Sequence, residues 1–202
     1  MEGDRVSIHD LTYITIFANI ASEHEGIEEE LKKRPMEGDF NDLLESQKEL
    51  FSKEMAKNSM EFWDENTSWL ETLSIEERKQ RMAQGEQDAQ LIRLFADFGK
   101  YLMVAGSLLA ELPLNLQGKW NRDITPKWNS DYHLNINLQM NYWFADRLGM
   151  DRYTKHMTDY VLRLLPKAKQ AAQRLYGCRG VWYPLSSDIW GNATAESYNY
   201  AV

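Results

Sequence analysis

The sequence predicts a mainly α protein in which helical hairpins follow one β-strand, and in which the array of hairpins is unfinished at both ends. Three observations carry that expectation. Apolar residues recur at helical spacing in several capped stretches between residues 43 and 176. One segment alone, residues 6–20 (VSIHDLTYITIFANI), has the β-branched and aromatic composition of a strand, and no alternation of strand with helix follows it. No internal repeat closes or caps the hairpins, as arrays of helical pairs normally require. The chain therefore reads as a slice of something larger.

Each element has its own signal. From Leu11 to Ile20 both alternating faces are largely apolar, the pattern of a strand buried on both sides. Residues 21–40 are acidic and carry Gly26, Pro35 and Gly38, which suits a solvated linker with a short helix over Ile27–Lys33. Asp42 is placed to cap a helix from Leu43 to about Trp63, with Leu43, Leu50, Phe51, Met55 and Phe62 on its apolar side. Ser74-Ile75-Glu76-Glu77 is a capping box, and the helix it opens should stop at Gly85. A third helix is expected from Gln87 to Leu109. Its stripe of Leu91, Leu94, Phe95, Phe98, Leu102, Ala105 and Leu109 is wide enough to be core. Pro113–Tyr132 is irregular, and helical spacing returns over Leu138–Leu148. Asp151 then caps a long helix to Tyr176, bent at Pro166 and ended by Gly177. The remainder, from Cys178, is loop-like.

Composition excludes several classes of function. A length of 202 residues suits one ordinary domain, and 43% hydrophobic with 27% charged residues is a globular balance rather than a disordered one. A net charge of −8 lacks the basic footprint of a nucleic-acid partner. No apolar run approaches the ~20 residues of a membrane span, so no membrane partner is expected. Cys178 is the single cysteine, and no Cys/His cluster has zinc spacing; neither a metal nor a cofactor is called for. Met1-Glu2-Gly3-Asp4-Arg5 lacks a signal-peptide pattern, which leaves the compartment open, a secreted or periplasmic parent included. Seven tryptophans and ten tyrosines are a large aromatic supply, suited to a core and equally to stacking on sugars.

The chemistry concentrates between Leu112 and Trp143. Asn115, Gln117, Asn121, Asn129, Asn135, Asn137, Gln139 and Asn141 fall there beside Trp120, Trp128, Tyr132 and Trp143. Amides are poor helix-interior residues and are costly to bury unpaired, so this density points to a wet pocket with many fixed hydrogen bonds. If Asp131–Asn137 is extended, His133, Asn135 and Asn137 share one face, and Leu134, Ile136 and Leu138 point into packing. Such a row offers acceptors, donors and one titratable ring, enough to hold a polyol and an ordered water. A loop stitched to its neighbours by Asn side chains is the equal alternative.

These residues also carry a resemblance. NLQGKWN (115–121) and WNSDYHLNINLQMNYW (128–143) resemble the signature of glycoside hydrolase family 95, the 1,2-α-L-fucosidase type, with some relatives acting on L-galactosides. DAQLIRLFADFGKYLMVAGSLLAELP (88–113) resembles the helix before that signature, and SDIWGNAT (187–194) the family's Asp-x-Trp-Gly segment. Ser107-Leu108-Leu109-Ala110 departs from the family's Ser-Arg-Pro-Gly. The resemblance implies an incomplete α/α toroid, of six hairpins in the whole family, preceded by the last strand of a β-sandwich. It divides the chain into a sandwich remnant over 1–22, a helical linker over 23–84, and the first part of the catalytic toroid over 85–202.

The family is inverting. The resemblance makes Asn135 and Asn137 the water-positioning pair, His133 a sugar contact, Trp190 an aromatic platform and Asp188 part of the sugar site. It places the general-acid Glu and its partner Asp further along than Val202, so this chain alone is expected to be inactive. An amide can orient a water but is far too weakly basic to take its proton, and inverting hydrolysis needs two carboxyl groups. Asp131 and Asp188 read better as a turn residue and a loop anchor than as substitutes. The implied partner is a carbohydrate, a fucosylated glycan foremost, and uncovered helix faces would favour self-association. A non-catalytic carbohydrate-binding remnant and a plain α-helical interaction fragment are the alternatives.

Overall fold

A computed structural model describes residues 14–16, 18, 38–62 and 68–193. The expected strand over 11–20 and short helix over 27–33 lie outside the described residues, apart from 14–16 and 18, which carry no regular structure. The described chain is mainly α: α1 (Phe40–Met55), α2 (Ile75–Ala83), α3 (Ala89–Ser107), α4 (Asn137–Met140) and α5 (Asp151–Tyr176). Two-residue strands β1 (Tyr132–His133) and β2 (Ser186–Ser187) pair antiparallel, and 3₁₀ turns occupy Ser68–Thr72, Lys127–Ser130 and Asp146–Leu148.

The chain divides into two units, Met1–Leu50 and Phe51–Val202. In the first, α1 starts a turn earlier than Asp42 suggests. Asp39 is the cap, its Oδ1 accepting from the backbone N–H of Asn41 at 2.8 Å and of Asp42 at 3.4 Å.

In the second unit α1 ends at Met55 and not near Trp63. Buried Lys100 donates Nζ to the carbonyls of Met55 and Asn58, so a cation from α3 takes up the end of α1. Buried Glu54, one residue earlier, accepts from Lys57 (2.8 Å), Arg152 (2.7 Å) and Tyr153 Oη (3.0 Å), which ties the same turn to the start of α5.

The capping box of α2 is present in both directions: Ser74 Oγ accepts from Glu77 N at 3.2 Å, and Glu77 Oε2 accepts from Ser74 N at 2.8 Å. Asp88 caps α3 through Leu91 N at 2.8 Å. The same carboxylate receives a two-pronged bond from Arg78 of α2, Nε to Oδ2 at 2.8 Å and Nη2 to Oδ1 at 2.7 Å. One buried side chain therefore starts a helix and locks it to the helix before.

The face of α3 that packs is not the stripe the periodicity picks out. Lys100, Met103, Val104 and Ser107, spaced three and four apart, are buried, whereas Leu94, Phe95, Phe98 and Leu109 are exposed. The burial follows from what faces the helix: Met103 and Val104 join Leu114, Leu134, Leu138, Ala145, Met150 and Leu164 in one core. Gly106 allows the close approach on that side, because a Cβ there would lie 2.6 Å from Leu114 Cδ2. With so broad an apolar surface, periodicity locates the helix but not its inward side.

Four tyrosines complete the core, and each spends its hydroxyl on a connecting segment or a neighbouring carboxylate. Tyr142 Oη accepts from Leu114 N (2.8 Å), while Tyr132 Oη donates to Pro113 O (3.1 Å). Tyr160 Oη donates to Asp188 O (2.7 Å), and Tyr153 Oη serves Glu54 as above. Tyr132 and Tyr160 also meet ring to ring at 4.6 Å.

The helix expected over 138–148 is cut to one turn. Gln139 Nε2 donates to Leu134 O at 2.7 Å and Asn141 Nδ2 to Asn115 O at 2.9 Å, so their amides hold other segments while the backbone tightens into i→i+3 bonds. By contrast α5 runs as expected to Gly177, whose φ of 64° ends it, with Cys178 N donating six residues back to Ala172 O. At its start, however, Asp151 is the first helical residue and not the cap; Met150 holds that position, and no side chain makes a cap hydrogen bond there. Pro166 sits inside this helix and removes the donor to the carbonyl of Leu162, a residue on the exposed side.

The Arg78–Asp88 pair generates the first prediction. The Arg78 guanidinium holds the Asp88 carboxyl below its ordinary value, against the opposing effect of burial. The stability this contributes is present above the unfolded pKa of about 3.9 and is lost as pH falls through the lower folded value. Asp88→Asn keeps the cap but leaves Arg78 buried without its charge partner, a loss of about 3–5 kcal/mol. Urea unfolding at pH 7 and pH 3 should show the variant's deficit shrinking in acid; an equal deficit at both would mean that the charge pair is not what is lost.

Candidate active site

The site is built on residues 112–143, and the amides there fall into two groups. Five of the eight are stitches. Asn115 Oδ1 accepts from Gln117 N (3.1 Å) and Lys119 N (2.9 Å), and its Nδ2 donates to Ser130 Oγ (3.2 Å). Gln117 bonds Lys127 O (3.2 Å) and accepts from Ser130 Oγ (2.5 Å); Asn121 bridges to Asp123, and Gln139 and Asn141 act as described. The side chains of Asn129, Asn135 and Asn137 make no hydrogen bond among the described residues. The stitched loop is therefore present, and it leaves Asn129, Asn135 and Asn137 uncommitted.

The stitching makes sense of NLQGKWN. Gly118 and Lys119 have φ of 59° and 73°, a left-handed pair that Asn115 holds from inside the turn. Lys119 Nζ then reaches back to Gly106 O at 2.8 Å, near the end of α3. The signature is the brace that fixes the loop to the helix before it.

His133 and Asn135 share one side of the segment, opposite buried Tyr132 and Leu134; Asn135 is exposed there, and His133 is largely covered with 14% of its side chain accessible. The expected alternation fails after that. Ile136 is exposed and the chain turns, so Asn137 sits in the first turn of α4 instead of continuing an extended row. The cause is the Gln139–Leu134 bond, which curls the backbone two residues early. His133 Nε2 lies 3.0 Å from Asp131 Oδ1, and its ring meets the edge of Trp128 at 5.8 Å and 76°.

Asp188 and Trp190 arrive through β2, which lies in the stretch from Cys178 where the sequence predicts only loop. Tyr132 pairs with Ser187 and His133 with Ser186, and Leu134 N donates to Leu185 O at 2.8 Å. Two-residue strands carry no periodic signal; the buried Ser186 and Ser187 were the missed residues. Asp188 builds the turn that follows. Its Oδ1 accepts from Trp190 N (3.0 Å) and Asn192 N (3.1 Å), and its Oδ2 from Asn192 Nδ2 (2.6 Å). Burial pushes this carboxyl up, but the bonds from Asn192 and Trp190 outweigh it and hold it below its ordinary value. Trp190 is thus presented half-exposed on a turn whose anchor is Asp188.

The segment before β1 is strained. Trp128, Asn129 and Ser130 all have φ near 55°, a conformation that costs non-glycine residues roughly 1–2 kcal/mol each. Ser130 is clamped between Asn115 and Gln117, which is what sustains the run. A cavity of about 390 Å³ lies between α3, the loop over 114–120 and the chain over 140–144, lined by Leu102, Gln117, Trp120, Met140, Asn141 and Phe144, and none of the five expected site residues lines it. Among the described residues no cluster of three His, Cys, Asp or Glu side chains is arranged to hold a metal.

The division of amides is testable by stability alone. Asn115→Ala strands two backbone donors and should lower stability by about 1–3 kcal/mol, and Leu134→Ala, in the core, by ~2–5 kcal/mol. Asn135→Ala and Asn137→Ala should stay within about 0.5 kcal/mol of the parent. Thermal melts of the four variants check this; early melting of the last two would make them stitches as well.

Comparison with known proteins supplies the family. Residues 39–202 match the family model of the glycosyl hydrolase family 95 catalytic domain. The chain is 38% identical to alpha-L-fucosidase 2 of Arabidopsis thaliana over 111 residues, 55% of this chain and 13% of that protein. It is likewise 38% identical to a probable alpha-fucosidase A of Aspergillus niger over 96 residues, 47% of this chain and 12% of that protein. The matched stretch thus spans about an eighth of the length of these relatives. With four-fifths of its residues inside the family match and helical hairpins as its architecture, the chain belongs to glycoside hydrolase family 95 and carries part of that family's α/α toroid.

Proposed function

We propose that residues 112–143 and 187–192 form the sugar- and water-positioning wall of an inverting glycoside hydrolase of the α-L-fucosidase type, acting on fucosylated glycans. The observation that carries this reading is the freedom of Asn135 and Asn137 in a loop whose other amides are mostly committed to backbone. In this reading His133 and Asn135 hold sugar hydroxyls from one side, and Asn137, at the start of α4, orients a water through its amide oxygen. Trp190 offers an apolar face, and Asp188 acts on the sugar through the turn that carries Trp190. The names of the two relatives, both fucosidases, support the choice of fucose.

The proton chemistry is assigned to residues outside 38–193. Asp131 is 3.0 Å from His133, and Asp188 has both oxygens engaged by loop donors, so neither is placed to take a proton from a water. The 202-residue chain should bind L-fucose without hydrolysing an aryl α-L-fucoside. Nuclear magnetic resonance titration with L-fucose should move the side-chain amide signals of Asn135 and Asn137 and the His133 ring. Turnover above that of an Asn135→Ala/Asn137→Ala double variant, or shifts confined to other residues, would overturn the assignment.

Self-association belongs to the same reading. Its support is the groove of about 580 Å³ between α2 and α3, walled by Ile75, Met82, Leu91, Leu94, Phe95 and Phe98. Phe95 is 78% exposed there, and monomers seldom leave large apolar patches open. Sedimentation should show oligomers that Phe95→Glu and Phe98→Glu disperse; a monodisperse parent chain would refute the association.

A further inference from the structure

Trp128 combines three properties that packing does not explain. It is 66% exposed, so the core does not require it. Its backbone sits at φ 56°, ψ 33°, a region that a bulky side chain rarely adopts, and it opens a run of three left-handed residues. Its ring stands edge-on to His133 with centroids 5.8 Å apart. Strain of this kind persists only where surrounding structure enforces it, and here the enforcement is specific. Pro126 fixes the entry at φ −69°, Asn129 N bonds Pro126 O at 3.2 Å, and Ser130 is gripped by Asn115 and Gln117. The chain holds a large aromatic face in solvent, beside the one imidazole of the site, at a conformational cost. A tryptophan is the side chain of largest apolar face with a rigid plane, and sugar sites pair such faces with a few fixed polar groups.

We propose that Trp128 is a specificity-determining wall of the sugar site, stacking its indole on the C–H face of a 6-deoxyhexose whose hydroxyls His133 and Asn135 hold. This rests on the sugar-site reading of His133, Asn135 and Asn137, and it adds a residue that neither the motif spacing nor the Trp190 turn supplies. The indole excludes water from one side of the sugar, and its edge contact fixes the plane of the His133 ring. The strained run is the means by which a loop residue reaches that position without being buried.

The experiment is a titration of the 202-residue chain with methyl α-L-fucopyranoside, followed through the indole N–H resonances, in the parent and in Trp128→Gly and Trp128→Phe. Glycine accepts the left-handed conformation, so Trp128→Gly should keep or raise the melting temperature while weakening binding about tenfold. Trp128→Phe should bind within about threefold of the parent, since it restores an aromatic face. A merely structural Trp128 would instead show a lower melting temperature in the glycine variant with binding unchanged. Equal affinity of parent and Trp128→Gly overturns the assignment of Trp128 and leaves the sugar site standing. A parent chain that binds no fucoside overturns the sugar site itself, and Trp128 with it.

Discussion

The structure depends on a constraint that acts on four side chains: a buried phenol must find a partner for its hydroxyl. Tyr132, Tyr142, Tyr153 and Tyr160 carry the core, and none can be buried until something polar comes to meet it. What comes is the backbone of Pro113, Leu114 and Asp188 and the carboxylate of Glu54. The first three belong to the segments that carry the proposed sugar site. The core and the site are therefore one object. Phenylalanine at these positions would fill the same space and leave the loops unplaced. The choice of tyrosine turns hydrophobic burial, which is non-directional, into a set of fixed points for irregular chain.

A second layer of order comes from charges used at helix ends. Asp88 starts α3 and holds α2, Lys100 finishes α1 from within α3, and Glu54 binds the last turn of α1 to α5. Each is a buried ion whose desolvation is offset by more than one bond, so the loss of any one partner leaves a charge exposed to a poor medium. These devices orient α3 so that Met103 and Val104 meet the core. They also leave Phe95 and Phe98 outward. An amphipathic helix has one polar side to give to water; α3 has little, and its second apolar side is the price of serving an array in which helices have neighbours on both flanks.

Much of this was legible in the sequence, and the failures have causes. Capped helices were visible because caps are local: the Ser74 box and the Gly177 stop need only their own residues. The catalytic-domain motifs were visible because they are strings of residue types. What escaped depends on partners far away in sequence. The end of α1 is set by Lys100, the shortening of 138–148 by Leu134 and Asn115, and the existence of β2 by Tyr132 and His133. The row of His133, Asn135 and Asn137 was half right, since alternation holds only until the Gln139 amide pulls the backbone round. The inward face of α3 could not be chosen from periodicity when both faces were apolar. Trp128 stood in the sequence only as one of four aromatics beside the amides; nothing set it apart, because backbone strain is invisible until the dihedral angles are known.

The tyrosine core has one more consequence, in the binding of protons. Burial pushes the Tyr142, Tyr153 and Tyr160 hydroxyls up to about 12 and raises that of Tyr132 as well. In the unfolded chain all four ionise near pH 10, so above that value the unfolded state sheds protons that the folded state keeps. Their contribution is whole below pH 10 and drains away together as alkali rises toward the folded values. The groups that fix the loops at 113–114 and 188 in place also set the alkaline boundary of the fold, and the loops and the core should be lost there in a single step.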